Sequence, residues 1–190
     1  IQAEIGNSGL APHVAATGPD GPIYPGTCRG LSIQERRDNE AAGLAYALRL
    51  DMTAAIAAAA DGAAGPLTWT DRDKGTVTAT PEIFGDVVLA RKDTPSSYHL
   101  AVTVDDHMQG VTLVTRGDDL FPATHVHRLL QALLRLETPE YHHHRLLTGG
   151  DGERLAKRSN SSTIRSLREA GKTPQEVRAM AGFGIRGEER

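Results

Sequence analysis

Ser96-Ser97-Tyr98-His99-Leu100-Ala101-Val102-Thr103-Val104-Asp105-Asp106-His107-Met108-Gln109-Gly110-Val111-Thr112, followed closely by Val114-Thr115-Arg116-Gly117-Asp118-Asp119-Leu120, is the stretch on which the fold turns. Residues 100–104 form a continuous apolar run, the pattern of a strand covered on both faces. Residues 111–115 read as a further strand that ends at Arg116-Gly117. Asp105 and Asp106 then stand at the end of a buried strand, where open α/β sheets place their ligands. The competing reading makes them ordinary strand-terminating turn residues. A strand that ends in Arg-Gly-Asp-Asp suits a charged substrate at the rim of a sheet.

Downstream, Val126, Leu129, Leu130, Leu133 and Leu134 recur at i, i+3, i+4, i+7 and i+8, one apolar stripe of a helix. Residues 163–170 predict a second helix, stopped by Gly171. Thr173-Pro174 is an N-cap followed by proline at the first helical position, so a third helix runs to about Ala181. Upstream, residues 10–30 are rich in Gly and Pro and read as loop. Ser32-Ile33-Gln34-Glu35 has the form of a capping box. Tyr46, Leu48, Leu50 and Met52 alternate with Ala47, Arg49 and Asp51, which predicts a half-buried strand. Residues 54–60 predict a short helix. Residues 67–70 and 76–80 favour strands, and Asp71-Arg72-Asp73-Lys74-Gly75 between them predicts a hairpin. Residues 85–91 predict another strand. Strands and helices are mixed, so the class is α/β with a helical C-terminal end.

The chain has 190 residues, enough for one domain with a small appendage. Aromatic residues make up only 4%, so the core is expected to rest on Leu, Val, Ile and Ala. A net charge of −3 means that any nucleic-acid contact must come from a local basic face. The candidates are Arg128, Arg135 and Arg145, then Arg154, Lys157, Arg158, Arg165 and Arg168; a solvated surface is the competing use of these charges. Cys28 is the single cysteine, which excludes an internal disulfide and fits a reducing cytoplasm. No run approaches the roughly 18 apolar residues of a membrane span, and none reads as a secretory signal.

Gly149-Gly150-Asp151-Gly152 can approach a ligand closely, and Glu153-Arg154-Leu155-Ala156-Lys157-Arg158 follows it with a basic cluster suited to a triphosphate. A solvated basic turn is the alternative. His142-His143-His144 and His125-x-His127 invite a metal reading, but helical residues two apart do not share a face. A histidine beside an adenosine ring is the use that fits better.

The segment from Tyr98 to Leu120 resembles the Tyr-x-Leu-Ala-Val-x-x-Asp-Asp-x-x-x-Gly-Val-Thr block, then Val-x-Arg-Gly-x-Asp-Leu, of class I aminoacyl-tRNA synthetases of the glutamyl type. The order and spacing are closest to the short paralogue branch, the glutamyl-queuosine tRNA(Asp) synthetases. The resemblance runs from Ile1 to Phe183. It implies a Rossmann-type catalytic domain, present as its C-terminal part, with an inserted α+β connective region. The implied division is 1–82 for the inserted region with a partial zinc motif, 83–150 for the second half of the nucleotide-binding domain, and 151–190 for the ATP loop and C-terminal helices.

By the same resemblance Tyr98 and Arg116 line a pocket for L-glutamate. An arginine fork pairs well with a carboxylate, and a tyrosine hydroxyl can orient it. Arg154, Leu155, Ala156, Lys157 and Arg158 stand where the family has its Lys-Met-Ser-Lys-Ser loop, which implies ATP binding with Mg2+. The first lysine is replaced by Arg154 and the serine by Ala156. Lys157 keeps the second lysine, the residue expected to contact ATP and act in catalysis.

Tyr24-Pro25-Gly26-Thr27-Cys28 matches the second half of the branch's Cys-x-Cys…Tyr-x-x-x-Cys zinc pattern. Tyr24 and Cys28 are thus the Zn2+ candidates, with the missing Cys-x-Cys expected just before Ile1. Two donors cannot complete a tetrahedral site, so Cys28 is expected to be metal-free or weakly loaded here.

The family's first half, with its His-Ile-Gly-His-like motif, is absent from this sequence, so the fragment is not expected to activate glutamate alone. Residues after Arg158 are too few for the anticodon-binding region of a full glutamyl-tRNA synthetase. The implied function is ATP-dependent activation of glutamate and transfer of the glutamyl group to queuosine in the anticodon of tRNA(Asp). The alternatives are a truncated glutamyl-tRNA synthetase that charges tRNA(Glu), and a non-catalytic tRNA-binding remnant.

Overall fold

Ser32 and Glu35 cap each other as the sequence predicts. Glu35 N donates to the Ser32 hydroxyl at 3.2 Å and Ser32 N donates to the Glu35 carboxylate at 2.7 Å. They start helix α1 (Ile33–Ala41) in a computed structural model that describes residues 16–61, 65–148 and 163–183. The chain divides into one unit up to His143 and a second from His144 onward.

In the first unit, β1 (Thr17–Gly18) and β2 (Gly21–Pro22) make a short antiparallel hairpin. Strand β3 (Ala47–Arg49) leads directly into helix α2 (Met52–Ala60). Strands β4 (Thr68–Asp71) and β5 (Gly75–Thr78) form the predicted hairpin, with Gly75 at φ +72° closing its turn. A helical turn at Pro81–Phe84 precedes β6 (Val88–Arg91), which pairs antiparallel with β3. Helix α3 (Tyr98–Met108), strand β7 (Leu113–Gly117), helix α4 (Ala123–Leu134) and strand β8 (Glu140–His144) follow. The larger sheet has the order β5-β4-β8-β7, with β4 and β8 parallel.

Residues 100–104 are helix rather than the predicted strand. Ser97 caps α3, its hydroxyl accepting from Leu100 N at 3.4 Å. A short apolar run cannot be told from a buried helical segment by periodicity alone. The serine before it is the deciding signal, since it satisfies a helical N–H that would otherwise be orphaned. Asp105 and Asp106 therefore lie in the body of α3 and end no strand. The strand predicted over residues 46–52 shortens to β3 for a similar reason. Asp51 caps α2 by accepting from Ala54 N at 3.1 Å, so Met52 is already helical. Tyr46 and Leu48 remain exposed.

Helix α4 carries the core. Val126, Leu129 and Leu130 are buried against Met52 and Ala55 of α2 and against Phe84 and Val87. Leu133 packs at the edge of that cluster, while Leu134, the last residue of the predicted stripe, is exposed. Leu, Val and Ala do dominate, with Phe84, Trp69 and Tyr141 also buried, while Tyr46, Tyr98 and Phe183 are exposed. Burying a side chain of this size contributes roughly 1.5–3 kcal/mol, which explains why so short a helix as α2 holds its place.

The second unit contains α5 (Ile164–Glu169) and α6 (Pro174–Met180), both predicted. Thr163 and Thr173 each make a reciprocal capping box, with Ser166 and Glu176. Arg145 donates to Ala181 O at 3.0 Å at the end of α6. Among the described residues no helix is long and apolar enough to cross a membrane.

Candidate functional site

Arg116 sits at the end of β7, where the strand hands over to the helical turn Asp118–Leu120. It is 9% exposed, and its guanidinium is surrounded by neutral acceptors. Nη1 donates to the Tyr98 hydroxyl at 3.3 Å and faces His127 Nδ1 at 3.2 Å. Nε donates to His143 Nε2 at 3.1 Å, and Nη2 donates to the Thr124 hydroxyl at 2.6 Å. None of the ion pairs among the described residues involves Arg116. A buried cation without a counter-ion is costly, and it attracts any anion that can reach it.

The fold explains these neighbours. The first turn of α4 presents Thr124 and His127 at i and i+3, one face of the helix. Strand β8 alternates, so Tyr141 and His143 turn inward while Glu140 and His144 are exposed. Tyr98, the first residue of α3, is half exposed and its ring packs edge-on to His127 at 5.6 Å. The sheet order places β7, β8 and β4 side by side, so Arg116, His143 and Asp71 come from three adjacent strands.

Asp71 Oδ2 lies 2.6 Å from His143 Nδ1, and both side chains are fully buried. Burial pushes the Asp71 carboxyl up, but hydrogen bonds from His143 and from the amides of Asp73 and Lys74 outweigh it, leaving the group below the usual carboxylate range. His143 is pushed down by burial and by Arg116, against the pull of Asp71. His127 falls to about 2, through burial first and then Arg116. Both rings are therefore neutral near pH 7. His127 Nε2 meets His99 Nδ1 at 3.2 Å, and His99 Nε2 lies 3.4 Å from Asp20.

The structure thus brings Tyr98 and Arg116 together, as the sequence expects, and adds Thr124, His127, His143 and Asp71. In the sequence the histidines read as metal candidates or as neighbours of an adenosine ring, not as partners of Arg116. Strand alternation within residues 141–144 is the signal that separates inward His143 from its neighbours. Asp71 had no such signal, because it reads as a turn residue.

Other candidates stay apart. Asp105 is exposed on α3. Asp106 is half buried there, its carboxyl pushed up by burial against the opposing pull of Arg116. His142 pairs with Asp73 at 3.2 Å, and His144 turns to Arg145 O. Among the described residues no group of three or more His, Cys, Asp or Glu could hold a metal ion. Cys28 is exposed, and its amide donates to the Tyr24 hydroxyl at 2.7 Å. These two residues do not by themselves fit a zinc ion. Residues 154–158, with Lys157, lie outside the described residues.

Of the basic candidates, Arg128 is half buried and donates to Thr68 O at 2.8 Å. Arg165 and Arg168 are exposed on α5. Tyr98 and His99 also line a cleft of about 440 Å³ with Asp20, Arg49, Arg91 and Ser97.

The family tRNA synthetases class I (E and Q), catalytic domain, matches residues 13–189. A glutamyl-Q tRNA(Asp) synthetase of Rhodobacter capsulatus is 40% identical over 95% of this chain and 64% of its own length. One from Nocardia farcinica is 43% identical over 87% of this chain and 50% of its own length. The chain therefore spans between half and two thirds of these relatives. The solved glutamate–tRNA synthetase of Elizabethkingia anophelis shares the fold with a TM-score of 0.53, at 22% identity over 79% of this chain and 28% of that one.

Proposed function

Because the chain belongs to the class I tRNA synthetases of the E and Q type, we propose that it supplies the glutamate-binding side of an enzyme that activates L-glutamate with ATP. The glutamyl group then passes to queuosine in the anticodon of tRNA(Asp). The observation that carries this reading is the buried Arg116 cation, whose hydrogen-bond partners among the described residues, the Tyr98 hydroxyl included, are all neutral. A substrate carboxylate would supply the missing negative charge, with Arg116 pairing to it and Tyr98 fixing its orientation. The names of the relatives support queuosine as the acceptor.

ATP, with Mg2+, is the proposed co-substrate of Arg154, Leu155, Ala156, Lys157 and Arg158. Lys157 would neutralise charge that builds up at the α-phosphate as the carboxylate oxygen attacks and pyrophosphate leaves. The tRNA substrate and the lone thiol of Cys28 fit a cytoplasmic setting. Zinc enters the proposal only for a protein that adds further donors to Tyr24 and Cys28.

Glutamate-dependent exchange of pyrophosphate into ATP, run with the full-length protein that carries this chain, tests activation. Labelled glutamate is then offered with tRNA(Asp) containing or lacking queuosine, and with tRNA(Glu). Label on queuosine-containing tRNA(Asp) alone is the expected result. Label on the terminal adenosine of tRNA(Glu) would make the protein a canonical charging enzyme. Binding of tRNA without exchange would leave a non-catalytic binding protein.

A further inference from the structure

We propose that Asp71 is a positioning residue for Arg116, acting through His143: it fixes the imidazole tautomer that turns a lone pair toward the guanidinium. The proposal rests on the glutamate reading of Arg116 and adds how that cation is kept available.

Arginine has five N–H donors and no acceptor. The His143 Nε2 that faces Arg116 Nε at 3.1 Å must therefore carry a lone pair. The one ring hydrogen of neutral His143 is then on Nδ1, where it meets Asp71 Oδ2 at 2.6 Å. Asp71 is itself fixed, because its Oδ1 accepts from the amides of Asp73 at 3.0 Å and Lys74 at 3.1 Å. A carboxylate is an acceptor at both oxygens, so it imposes this tautomer.

Distance from the cation matters as much as orientation. An acid touching Arg116 directly would neutralise it and compete with a substrate carboxylate. Interposing one imidazole keeps the acid's orienting effect and leaves the positive charge uncancelled. Thr124 closes the arrangement, accepting from Nη2 at 2.6 Å while its hydroxyl lies 3.2 Å from His143 Nε2.

A second arm repeats the logic. His127 presents Nδ1 to Nη1, so its hydrogen is on Nε2 and points to His99 Nδ1, leaving His99 Nε2–H for Asp20. These contacts use four of the five N–H groups, and one on Nη2 stays uncommitted among the described residues.

Asp71→Asn removes the imposition while keeping the shape. Its carboxamide has one acceptor oxygen, so either the Asp73 and Lys74 amides or the His143 Nδ1–H must face an NH2 group. Nitrogen-15 long-range imidazole spectra of the unsubstituted full chain give the tautomer first. Hydrogen on Nδ1 is expected, and hydrogen on Nε2 would overturn the proposal without any variant.

The full-length protein then gives exchange kinetics. Asp71→Asn is expected to raise KM for glutamate tenfold or more, with KM for ATP unchanged and His143 shifted toward the Nε2–H form. A folded Asp71→Asn variant with unchanged glutamate KM would refute the role of Asp71, provided Arg116→Ala raises that KM. If Arg116→Ala also changes nothing, the glutamate reading itself fails. Should the Asn variant not fold, the tautomer in the unsubstituted chain decides.

Discussion

Arg116 owes its character to what it bonds among the described residues: a tyrosine hydroxyl, a threonine hydroxyl and two imidazoles that burial keeps neutral near pH 7. Removing it would abolish a charge-assisted pair of about 1.5–3 kcal/mol. Arg116→Ala is therefore expected to raise KM for glutamate by one to two orders of magnitude, measured by pyrophosphate exchange in the full-length protein. Unchanged glutamate kinetics would take Arg116 out of the pocket. Lys157 is proposed to serve the other substrate, ATP, on the resemblance of residues 154–158 to the family's ATP loop. Lys157→Ala is expected to slow adenylate formation and leave glutamate affinity nearly intact. Normal exchange rates in that variant would exclude the ATP role.

Helix α4 positions both Thr124 and His127, and its C-terminal end carries an avoidable strain. Arg135 adopts φ +58° and closes the helix in the left-handed region, which costs a residue with a Cβ about 1–2 kcal/mol. Glycine is the usual occupant of such a position. Arg135→Gly is expected to stabilise the protein by about 1 kcal/mol, seen as a higher urea midpoint at unchanged slope. A lower midpoint would mean that the arginine side chain makes contacts worth more than the backbone strain. Gly85 shows the opposite case. At φ +60°, against Ile23, it leaves no room for a Cβ.

For the whole molecule, the buried histidines set the acid limit. His99, His125, His127 and His143 all lie below their ordinary value of 6.5, each chiefly through burial. In the unfolded chain each takes up a proton as the pH falls through about 6.5, while the folded protein resists. The unfolded state then binds more protons, so stability is fully present above that pH and is lost progressively below it. For His127, folded near 2, the loss at pH 5.5 is on the order of 1 kcal/mol relative to neutral solution and grows as the pH falls further. Urea unfolding at pH 7.5 and 5.5 should show the drop, and His127→Gln should reduce it. A stability that does not change over this interval would mean that His127 titrates in the folded state.

The amino-acid order alone determined α1, α4, α5 and α6, the β4–β5 hairpin and the pairing of Tyr98 with Arg116. Their signals are local: capping residues, an apolar stripe at helical spacing, turn chemistry, and a motif with intact internal spacing. It misled at residues 100–104, because four apolar residues and a threonine fit a buried strand and a buried helix equally well until the Ser97 cap is weighed. Only the tertiary structure decided what holds Arg116. Asp71 and His143 are 72 positions apart in sequence, and Thr124 and His127 come from a helix between them. No short-range pattern encodes that meeting. It arises because β4 and β8 pair in parallel and α4 packs its first turn against them. The charge environment of a residue is a property of three-dimensional neighbours, which the linear order does not show.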